Sequence, residues 1–440
     1  MRRALLPLIL SIPIQAATAQ WVVGGSFSTV LHYQACAFHN VDSGLFVYGA
    51  NNPGPTPSAT EGGLIFTDDG DASGGYYIWY TPSTNLEDID VKMVAGLPLY
   101  MAAGHELYNR SIVVRPYDFP AQPLAFDSLR TGTGQYYRAV RIRTDLVAFA
   151  AGGNNAGNGI IDMSTDTGAT WANAAVFTGQ PVSRLHFVND LLGFAATGGY
   201  RRLSGNGVLL PDSGAIYRSI DGGLNWQQVY SDTATGFSDV AFSSTSNGVA
   251  TRSDGVILRT TDGGDTWTPA TVNLGVPVIM SSVTFRSDGI GFASAYRTDG
   301  LSGYILISYD DGQTWYENFN TSGFNHSRRI YDLYFFDDSH GYACTHIRPL
   351  RTSGIVTGEP ELDGATSMLF PNPATDALTV RSRVGSGALV EMIDATGRVI
   401  RSERASGEET LINMGDIAPG TYVVRISDGT RVEIMRLLRP

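Results

Sequence analysis

Short runs of alternating apolar and polar residues fill most of this 440-residue chain and predict many short strands. The clearest unit begins with SDVAFS at 238–243 and NGVATR at 247–252, followed by a tight turn at 253–255. A third run, VILRT at 256–260, leads through another turn into TWTPATV at 266–272. Runs of this length separated by Gly-containing turns indicate a four-stranded meander, whose strands we label A to D.

The A-strand pattern recurs along the chain. Besides 238–243, runs with similar apolar spacing lie at 33–39, 89–95, 137–143, 183–189, 281–287 and 331–337. Each is followed by a Gly-containing B strand. Repeats of about 40 to 50 residues that each hold four strands are typical of propeller blades. The seven A strands therefore predict a seven-bladed β-propeller, in which the second blade, around 99–126, is inferred from spacing alone.

A turn that ends in tryptophan joins strands C and D in four of these units. It reads STDTGATW from 164, SIDGGLNW from 219, TTDGGDTW from 260 and SYDDGQTW from 308, and a decayed copy is expected at 66–79. In these Asp-Gly-Trp turns, Asp can accept amide hydrogen bonds, Gly can take a positive φ, and Trp can pin the hairpin. The residues expected in this structural role are Asp166, Gly168, Trp171, Asp221, Gly223, Trp226, Asp262, Gly264, Trp267, Asp310, Gly312 and Trp315.

The last unit lacks a D strand. After its A and B strands, a third strand is expected at GIVTGE (354–359), and the composition then changes. The segment QWVVGGSFS from Gln20 resembles the end of an Asp-Gly-Trp turn. We therefore expect it to supply the missing strand, which would seal the ring without a free edge and place all six tryptophans in one structural position.

Export is predicted at the N-terminus. Two Arg, an apolar run at 4–14 and Ala17-Thr18-Ala19 form the pattern of a cleaved signal peptide at 1–19. The apolar run is too short to span a bilayer well, and no other segment approaches that length. The formal net charge of −12 argues against binding to nucleic acid or to an anionic membrane.

The chain contains two cysteines, Cys36 and Cys344. In an oxidising compartment they could form a disulfide, and the alternative is two small buried strand residues. The seven histidines show no metal-ligand spacing, and no common catalytic or phosphate-binding motif occurs. No cofactor, metal site or catalytic residue is therefore expected.

The pattern Ser/Thr-x-Asp-x-Gly-x-Thr/Asn-Trp resembles the Asp-box, or bacterial neuraminidase (BNR) repeat, of sialidase-type propellers and their non-catalytic relatives. The resemblance covers residues 20–360 and implies a β-propeller there. Sialidases use an arginine triad whose first member lies in a Phe/Tyr-Arg-Ile-Pro motif near the N-terminus. This chain has no arginine between Arg3 and Arg110, which removes most of the support for sialidase activity.

The binding face is predicted from topology. In a meander the A–B and C–D turns share one face, so the Asp-Gly-Trp turns lie opposite the long B–C loops, and their four carboxylates cannot converge. Long loops on a rigid scaffold commonly carry binding, and a rim of Arg and Tyr suits an anionic or sugar-like ligand. The candidate ligand-binding residues are Tyr200, Arg201, Arg202, Tyr296, Arg297, His346, Arg348 and Arg351.

The C-terminal segment 361–440 differs in character and is predicted to form a small immunoglobulin-like β-sandwich. Its stretches at 371–374, 394–398 and 419–422 resemble the C-terminal sorting domain of the type IX (Por) secretion system of Bacteroidetes. The resemblance implies contact with that machinery, export across the outer membrane, and removal of the domain with release or surface anchoring.

Taken together, these patterns predict a monomeric, secreted or surface-attached, non-catalytic propeller that binds a glycan or protein ligand. One alternative is a glycoside hydrolase with an unrecognised carboxylate pair, for which Glu61, Asp212 and Asp299 are available in loops. The other is an extracytoplasmic scaffold or assembly factor.

Overall fold

The structure is a computed structural model of the chain. It describes residues 21–24, 32–49, 61–70, 76–82, 84–106, 110–117, 125–199, 213–300, 302–322, 329–345, 348–352, 368–370, 374, 377–381, 388–394, 398–405, 409–427 and 432–439. The chain divides into two compact units, 1–355 and 356–440, and each is described by itself. The described ranges contain strands and no helix.

The first unit begins with a short strand and two antiparallel meanders. These strands are β1 (Trp21–Val23), β2 (His32–Phe38), β3 (Gly44–Gly49), β4 (Glu61–Thr67), β5 (Tyr76–Pro82), β6 (Thr84–Val94), β7 (Leu97–Glu106), β8 (Arg110–Tyr117) and β9 (Ala125–Thr133). A single residue pair, Gly49 with Asn85, joins the two meanders into one eight-stranded sheet.

Three further meanders follow in the same order of strands. They are built from β10 (Gln135–Ile142), β11 (Ala148–Asn154), β12 (Gly159–Ser164), β13 (Ala172–Phe177), β14 (Val182–Phe187), β15 (Gly193–Thr197), β16 (Gly214–Ser219), β17 (Gln227–Asp232), β18 (Phe237–Phe242), β19 (Gly248–Arg252), β20 (Ile257–Thr260) and β21 (Thr268–Pro269). Each set of four consecutive strands forms one sheet.

The remaining strands of the first unit form two more sheets. They are β22 (Thr271–Asn273), β23 (Val278–Phe285), β24 (Gly291–Arg297), β25 (Gly303–Ser308), β26 (Thr314–Asn320), β27 (Ile330–Phe335), β28 (Gly341–Thr345) and β29 (Leu350–Thr352). The single D strand predicted at 266–272 is wrong, because β21 pairs with β20 whereas β22 runs parallel to β26 of the next sheet. The first piece ends at Pro269, which has no N–H to extend the ladder.

The first strands of the meanders lie at the centre of the unit. We call β2, β6, β10, β14, β18, β23 and β27 the inner strands. Each contacts the next in chain order, and β27 contacts β2, so the described inner strands form a closed ring. This is the arrangement of a β-propeller.

The N-terminal strand closes this ring as the sequence predicted. β1 pairs antiparallel with β29, with Trp21 opposite Thr352, and thereby becomes the fourth strand of the last sheet. The third strand of that sheet is β29 itself, which corrects the strand expected at 354–359, a segment outside the described residues. The first and the last strands of the first unit are therefore joined by backbone hydrogen bonds.

The Asp-Gly-Trp turns have the clasp geometry expected of them. In the third copy, Asp262 Oδ1 accepts hydrogen bonds from the Thr260 hydroxyl and the Thr266 amide, at 2.8 and 2.9 Å. Gly264 donates its amide to Thr260 Oγ1, and Trp267 Nε1 donates to the Gly264 carbonyl at 3.1 Å. Side-chain and backbone hydrogen bonds from Thr266 lower the pKa of Asp262 to about 2. Asp262 therefore stays ionised and keeps accepting these hydrogen bonds.

The turns also confirm which loops share a face. Gly222, in the second Asp-Gly-Trp turn, donates its amide to the Leu191 carbonyl in the A–B turn of the same sheet, at 2.8 Å. Gly263 in the third copy donates likewise to Ser246 at 2.9 Å. We call this side the turn face and the opposite side, where the inner strands begin, the loop face.

Three of the tryptophans pack against a phenylalanine on the inner strand of their own sheet. Trp226 meets Phe187 edge-on at 6.1 Å between ring centroids, and Trp267 meets Phe242 at 6.1 Å. Trp21 meets Phe335 in the same way at 6.0 Å. In each case the phenylalanine lies at or near the end of that sheet's inner strand, so β1 repeats the packing of an ordinary fourth strand. The side chain of Trp79 lies outside the described residues.

Replacing Gly312 with alanine should destabilise the first unit by about 2–3 kcal/mol. Gly312 has a φ of 82°, and an added Cβ would lie 2.3 Å from Val249 Cγ1 of the neighbouring sheet. Gly289→Ala is the matched control, since its φ is 84° but nothing lies within 4 Å of an added Cβ. Urea unfolding of both variants separates the backbone penalty from the steric clash, and equal losses would contradict close packing under the turn.

The second unit consists of a three-stranded and a four-stranded sheet. Its strands are β30 (Met368–Phe370), β31 (Ala377–Arg381), β32 (Leu389–Ile393), β33 (Val399–Arg404), β34 (Glu409–Asn413), β35 (Gly420–Ser427) and β36 (Val432–Arg439), paired in the orders β30-β31-β34 and β33-β32-β35-β36. Leu378 and Ile412 from the first sheet and Met392 and Val424 from the second share one buried cluster. The two sheets therefore enclose a common core.

Cys36 on β2 and Cys344 on β28 are both buried in a single cluster with Phe38, Phe46 and Tyr342. The cluster lies between the first and the last sheets of the ring. Both cysteines thus occupy the small buried strand positions that the sequence allowed, and a disulfide between them stays a prediction.

Candidate functional site

Every inner strand carries a β-bulge at the same place. The pairing register shifts at Gln34, Glu87, Arg138, Ser183, Ser238, Ser281 and Tyr331. Each of these residues lies near the start of its strand, towards the loop face. Bulges redirect side chains and are frequent beside functional sites. We call these seven residues the bulge ring.

The residue after the bulge is charged or polar on five of the seven inner strands. These residues are Asp88, Arg184, Asp239, Ser282 and Asp332, whereas Ala35 and Ala139, at the same position, pack in apolar clusters. Arg184 on β14 lies 3.6 Å from Asp88 on β6 and 3.6 Å from Asp332 on β27, although neither strand neighbours β14 in the ring. Contacts between strands on different sides of a ring are made at its axis. We call Asp88, Arg184, Asp239, Ser282 and Asp332 the axial network.

Hydrogen bonds tie the axial network to the surrounding strands. Asp88 accepts from the Val140 amide at 3.0 Å and from Arg141 Nη1 at 2.5 Å. Asp239 accepts from the Val283 amide at 3.0 Å. Asp88, Arg184, Asp239 and Ser282 are each at most 5% exposed. The network is thus a buried set of charges that connects most of the inner strands.

Burial controls the electrostatics of the two carboxyl groups nearest Ser282. It raises the pKa of Asp239, although Arg184 and the Val283 amide oppose the rise. For Asp332, burial together with repulsion from Asp88 and Asp239 outweighs the attraction of Arg184 and raises the pKa to about 6. Strongly shifted groups of this kind mark functional candidates, but ion-pair networks with a structural role shift pKa values too.

The bulge ring is chemically asymmetric. Its three serines bond to the backbone around them: Ser183 Oγ accepts from the Gly199 amide, Ser238 Oγ donates to the Thr251 carbonyl, and Ser281 Oγ donates to the Ile330 carbonyl. The larger members, Tyr331, Gln34, Glu87 and Arg138, come from four consecutive inner strands, β27, β2, β6 and β10. Recognition groups are therefore concentrated on one side of the axis.

Glu87 and Arg138 belong to a connected polar set. Glu87 Oε1 lies 3.2 Å from His105 Nε2 and accepts a hydrogen bond from the Asn85 side chain. Burial would raise the pKa of Glu87, but His105, Arg138 and Arg184 outweigh it and lower the pKa, so the group is a fixed carboxylate. The Arg138 guanidinium lies 5.2 Å from the centroid of the Tyr136 ring.

Tyr331 belongs to a second set of polar side chains, on β27 and the neighbouring β2. Its hydroxyl lies 3.3 Å from His32 Nδ1, and burial raises its pKa to about 12, which keeps the phenol protonated. The Arg329 guanidinium lies 4.9 Å from the centroid of the Tyr296 ring. Gln34, between the two sets, is 5% exposed, and its Nε2 atom has no hydrogen-bond partner among the described residues. A buried donor of this kind costs about 1–3 kcal/mol and calls for an acceptor.

The structure brings one of the sequence-predicted ligand residues to this site. Tyr296 lies beside Arg329 and Tyr331. Arg297 forms an ion pair with Asp299 at 2.7 Å. Arg348 is partly buried, and its carbonyl accepts a hydrogen bond from the Thr345 hydroxyl. Tyr200, Arg201, Arg202 and His346 lie outside the described residues, as does Asp212, and the side chain of Glu61 is not described.

The placement of Arg351 in a B–C loop is wrong. Arg351 lies within β29, opposite Tyr342 of β28, because that strand begins at Leu350 and leaves only a short loop before it. Its side chain lines a cleft of roughly 110 Å³ with Asp42, Asp69 and His340. These partners belong to A–B and C–D turns, so Arg351 faces the turn side rather than the loop face.

Sequence reasoning missed the residues that make up this site. The signal was present, since LED at 86–88, SRL at 183–185, SDV at 238–240 and YDL at 331–333 each place acidic or basic residues near the start of an inner strand. A charge in a buried strand conflicts with the local pattern, and such conflicts are expected at functional or strained positions. The apolar residues of the A strands alone do not reveal it.

The described residues define the chemistry open to this site. No group of three or more His, Cys, Asp or Glu side chains in the described ranges is arranged to hold a metal ion. No helix within those ranges is long and apolar enough to cross a membrane. Asp239 and Asp332 both contact the Ser282 hydroxyl, at 2.9 and 2.8 Å, but they lie in the buried axial network.

Comparison with known proteins supports the two-part architecture. Residues 368–438 match the family described as "Secretion system C-terminal sorting domain". This match indicates export by the type IX secretion system, to the cell surface or beyond it, and implies contact with that machinery. No curated protein matches the chain.

The chain was also compared with solved structures. YCF48 from Cyanidioschyzon merolae has a TM-score of 0.50 at 13% identity, over 76% of this chain and 98% of that chain. A structure of YCF48 bound to D1 peptide has a TM-score of 0.37 at 16% identity, over 78% of this chain and 99% of that chain. At 13% identity the first likeness shows the fold alone, and that fold is a β-propeller.

Proposed function

We propose that this exported chain is a non-catalytic binding protein whose ligand sits on the loop face, over the bulge ring. In this proposal the first unit is a seven-bladed propeller of the Asp-box, sialidase-like type, and the second is an immunoglobulin-like sorting domain that is removed after export. Residues 1–19 act as the signal peptide for the first export step. The ligand is a glycan or a protein segment.

The asymmetry of the bulge ring carries this proposal. Arg138, Gln34 and Tyr331 offer hydrogen-bond donors beside the Glu87 carboxylate, and Arg329 and Tyr296 extend the same side outward. Fixed donors and acceptors on a rigid scaffold, joined by aromatic rings and guanidinium groups, are typical of recognition sites. The remaining rim candidates, Tyr200, Arg201, Arg202, Arg297, His346 and Arg348, are proposed to extend this surface.

Binding is favoured over hydrolysis because of where the carboxyl groups lie. A glycosidase needs two carboxyl groups flanking a substrate bond, one of them able to donate a proton. Glu87 is held as a carboxylate by His105, whereas Asp239 is buried behind the bulge ring and engaged by Ser282 and backbone amides. This arrangement supports a site that holds a ligand without cleaving it.

Replacing Arg138 with glutamine should weaken ligand binding at least tenfold, since loss of a guanidinium contact at the centre of a site typically costs more than 1 kcal/mol. The measurement is a titration of the purified chain with the strongest binder from a printed array of oligosaccharides and a peptide library. Arg218→Gln is the matched control, because its guanidinium pairs with the exposed Asp265 on the turn face. We expect the control to bind within twofold of the natural chain.

Two results would overturn the proposal. One is that Arg218→Gln weakens binding as much as Arg138→Gln, which would move the site to the turn face. The other is release of reducing sugar from any bound oligosaccharide, which would favour the glycoside hydrolase. Absence of any binder, with the chain folded, would leave the scaffold function as the better account.

A further inference from the structure

The Ser282 hydroxyl makes two contacts that a single proton cannot satisfy. Its Oγ lies 2.9 Å from Asp239 Oδ2 and 2.8 Å from Asp332 Oδ1. A serine hydroxyl has one hydrogen to donate, and an ionised carboxylate can only accept. If both carboxyl groups were ionised, one of these short contacts would join two acceptors in a buried environment. One carboxyl group must therefore carry a proton and donate it to Ser282 Oγ.

The surrounding donors indicate which carboxyl group holds that proton. Asp239 Oδ2 also accepts from the Val283 amide at 3.0 Å, and Asp239 Oδ1 accepts from the Val240 amide at 2.8 Å. Backbone donors on both oxygens stabilise the ionised form. Asp332 Oδ1 has Ser282 as its close partner and Arg184 at 3.6 Å. Asp332 is thus the better proton carrier, and Asp239 the better acceptor.

We propose that the axial network is a proton-dependent lock, in which protonated Asp332 donates to Ser282 and Ser282 donates to Asp239. These two hydrogen bonds join β27, β23 and β18, which are three consecutive inner strands. β27 belongs to the sheet that β1 completes. With the proton bound, every polar contact in the chain has a donor and an acceptor. When the proton leaves, two carboxylates face one hydroxyl, and the hydrogen bond between Asp332 and Ser282 is lost.

The charges that face Asp332 explain why the lock responds near neutral pH. β6 contributes Asp88, which Arg141 on β10 already pairs at 2.5 Å, and β14 contributes Arg184. β18 contributes Asp239, and β23 contributes uncharged Ser282. Arg184 thus serves three carboxyl groups, and the proton supplies the missing positive charge. Two residues further along β14, burial and Arg141 lower the pKa of His186 to about 4, so this histidine stays neutral between pH 5 and pH 8.

The sign of the effect follows from the raised pKa of Asp332, about 6 in the folded chain against an ordinary 3.8. The folded state binds this proton more tightly than the unfolded state does, so the group's contribution is most favourable at low pH. Stability is lost as the pH rises from about 4 through 6, and above that the penalty is complete. The first unit should therefore be held together more firmly in mildly acidic surroundings.

Thermal unfolding of the full chain between pH 5 and pH 8 tests the lock. The midpoint of the natural chain should fall with rising pH, and Asp332→Asn should remove about 2–5 °C of that fall, since its amide donates to Ser282 at every pH. Asp239→Asn should lower the midpoint throughout, because asparagine keeps one acceptor oxygen whereas Asp239 uses two, for the Val240 and Val283 amides. Asp265→Asn, on an exposed side chain, is the matched control and should keep the natural pH dependence.

Infrared spectroscopy of the natural chain provides a readout that does not depend on any variant folding. A carboxyl C=O band from a protonated, buried acid should persist above pH 5, disappear on titration through about pH 6, and be missing from Asp332→Asn. Absence of such a band in the natural chain would overturn the proposal. So would its persistence in Asp332→Asn, or a pH dependence that Asp239→Asn rather than Asp332→Asn removes.

Discussion

Replacing Arg184 with methionine should lower the free energy of unfolding of the first unit by about 3–5 kcal/mol. Arg184 is 2% exposed and lies between Asp88 and Asp332, with Asp239 close enough to feel its charge. Methionine fills a similar volume but leaves these buried carboxyl groups without their shared cation. Removing one partner of a buried ion pair is costly because the other charges remain in a poorly solvated place.

Urea unfolding followed by tryptophan fluorescence measures this loss, with Arg218→Met on the turn face as the control. That arginine pairs with an exposed aspartate, so its replacement should cost less than about 1 kcal/mol. Adding Asp332→Asn to Arg184→Met should recover part of the lost free energy of unfolding, because it removes one of the carboxyl groups that no longer has a cation beside it. A loss below about 1 kcal/mol for Arg184→Met would mean that the axial network contributes little to the ring.

Replacing Trp21 with alanine should cost about 3–5 kcal/mol, as expected for a large buried side chain. Trp21 is 3% exposed, packs edge-on against Phe292 and Phe335, and donates its indole N–H to Asn318 Oδ1 at 3.0 Å. The residue sits on the three-residue strand β1, whose pairing with β29 completes the last sheet. Loss of the indole should therefore release β1 and leave β29 as a free edge.

Hydrogen exchange at 350–352 measures the opening directly, and urea unfolding gives its magnitude. Trp226→Ala is the matched control, because Trp226 packs on Phe187 in the same way but directly precedes β17, a strand held within a continuous meander. We expect the control to lose stability without faster exchange at 350–352. Equal exchange in the two variants would show that β1 is not what closes the ring.

Much of the fold was predictable from local pattern because a propeller repeats one short unit. The Asp-Gly-Trp turn fixes strands C and D around it, and the A strands share an apolar spacing that can be aligned by eye. The closure by β1 was predictable for the same reason, since Trp21 precedes an A strand by the usual interval. These features depend on residues close together in the sequence.

The axial network could not be predicted in this way. Arg184 and Asp332 are 148 positions apart, and their meeting depends on how many sheets lie between them and on the direction in which each bulge turns the next side chain. The sequence shows a charge in each of several A strands, but it does not show that those charges share one axis. The sequence therefore predicts a site in the loops, where Arg and Tyr residues lie in segments without a strand pattern.

Smaller errors have local physical causes. The third strand of the last sheet is only three residues long, Leu350–Thr352, which is too short for an alternating pattern to stand out. Because this strand includes Arg351, that residue lies towards the turn face and not in a B–C loop. The regular apolar spacing at 266–272 predicted one continuous strand. The backbone instead forms two short strands that pair with different sheets, and the first ends at Pro269, which has no N–H to donate.

Ligand binding is proposed to occur over the bulge ring on the loop face. Hydrogen exchange of the full chain, with and without the strongest binder from the oligosaccharide and peptide arrays, can locate the bound ligand. We expect protection at the starts of four inner strands, at 32–36, 84–88, 135–139 and 329–332. Protection confined to the Asp-Gly-Trp turns, at 164–171, 219–226, 260–267 and 308–315, would contradict it.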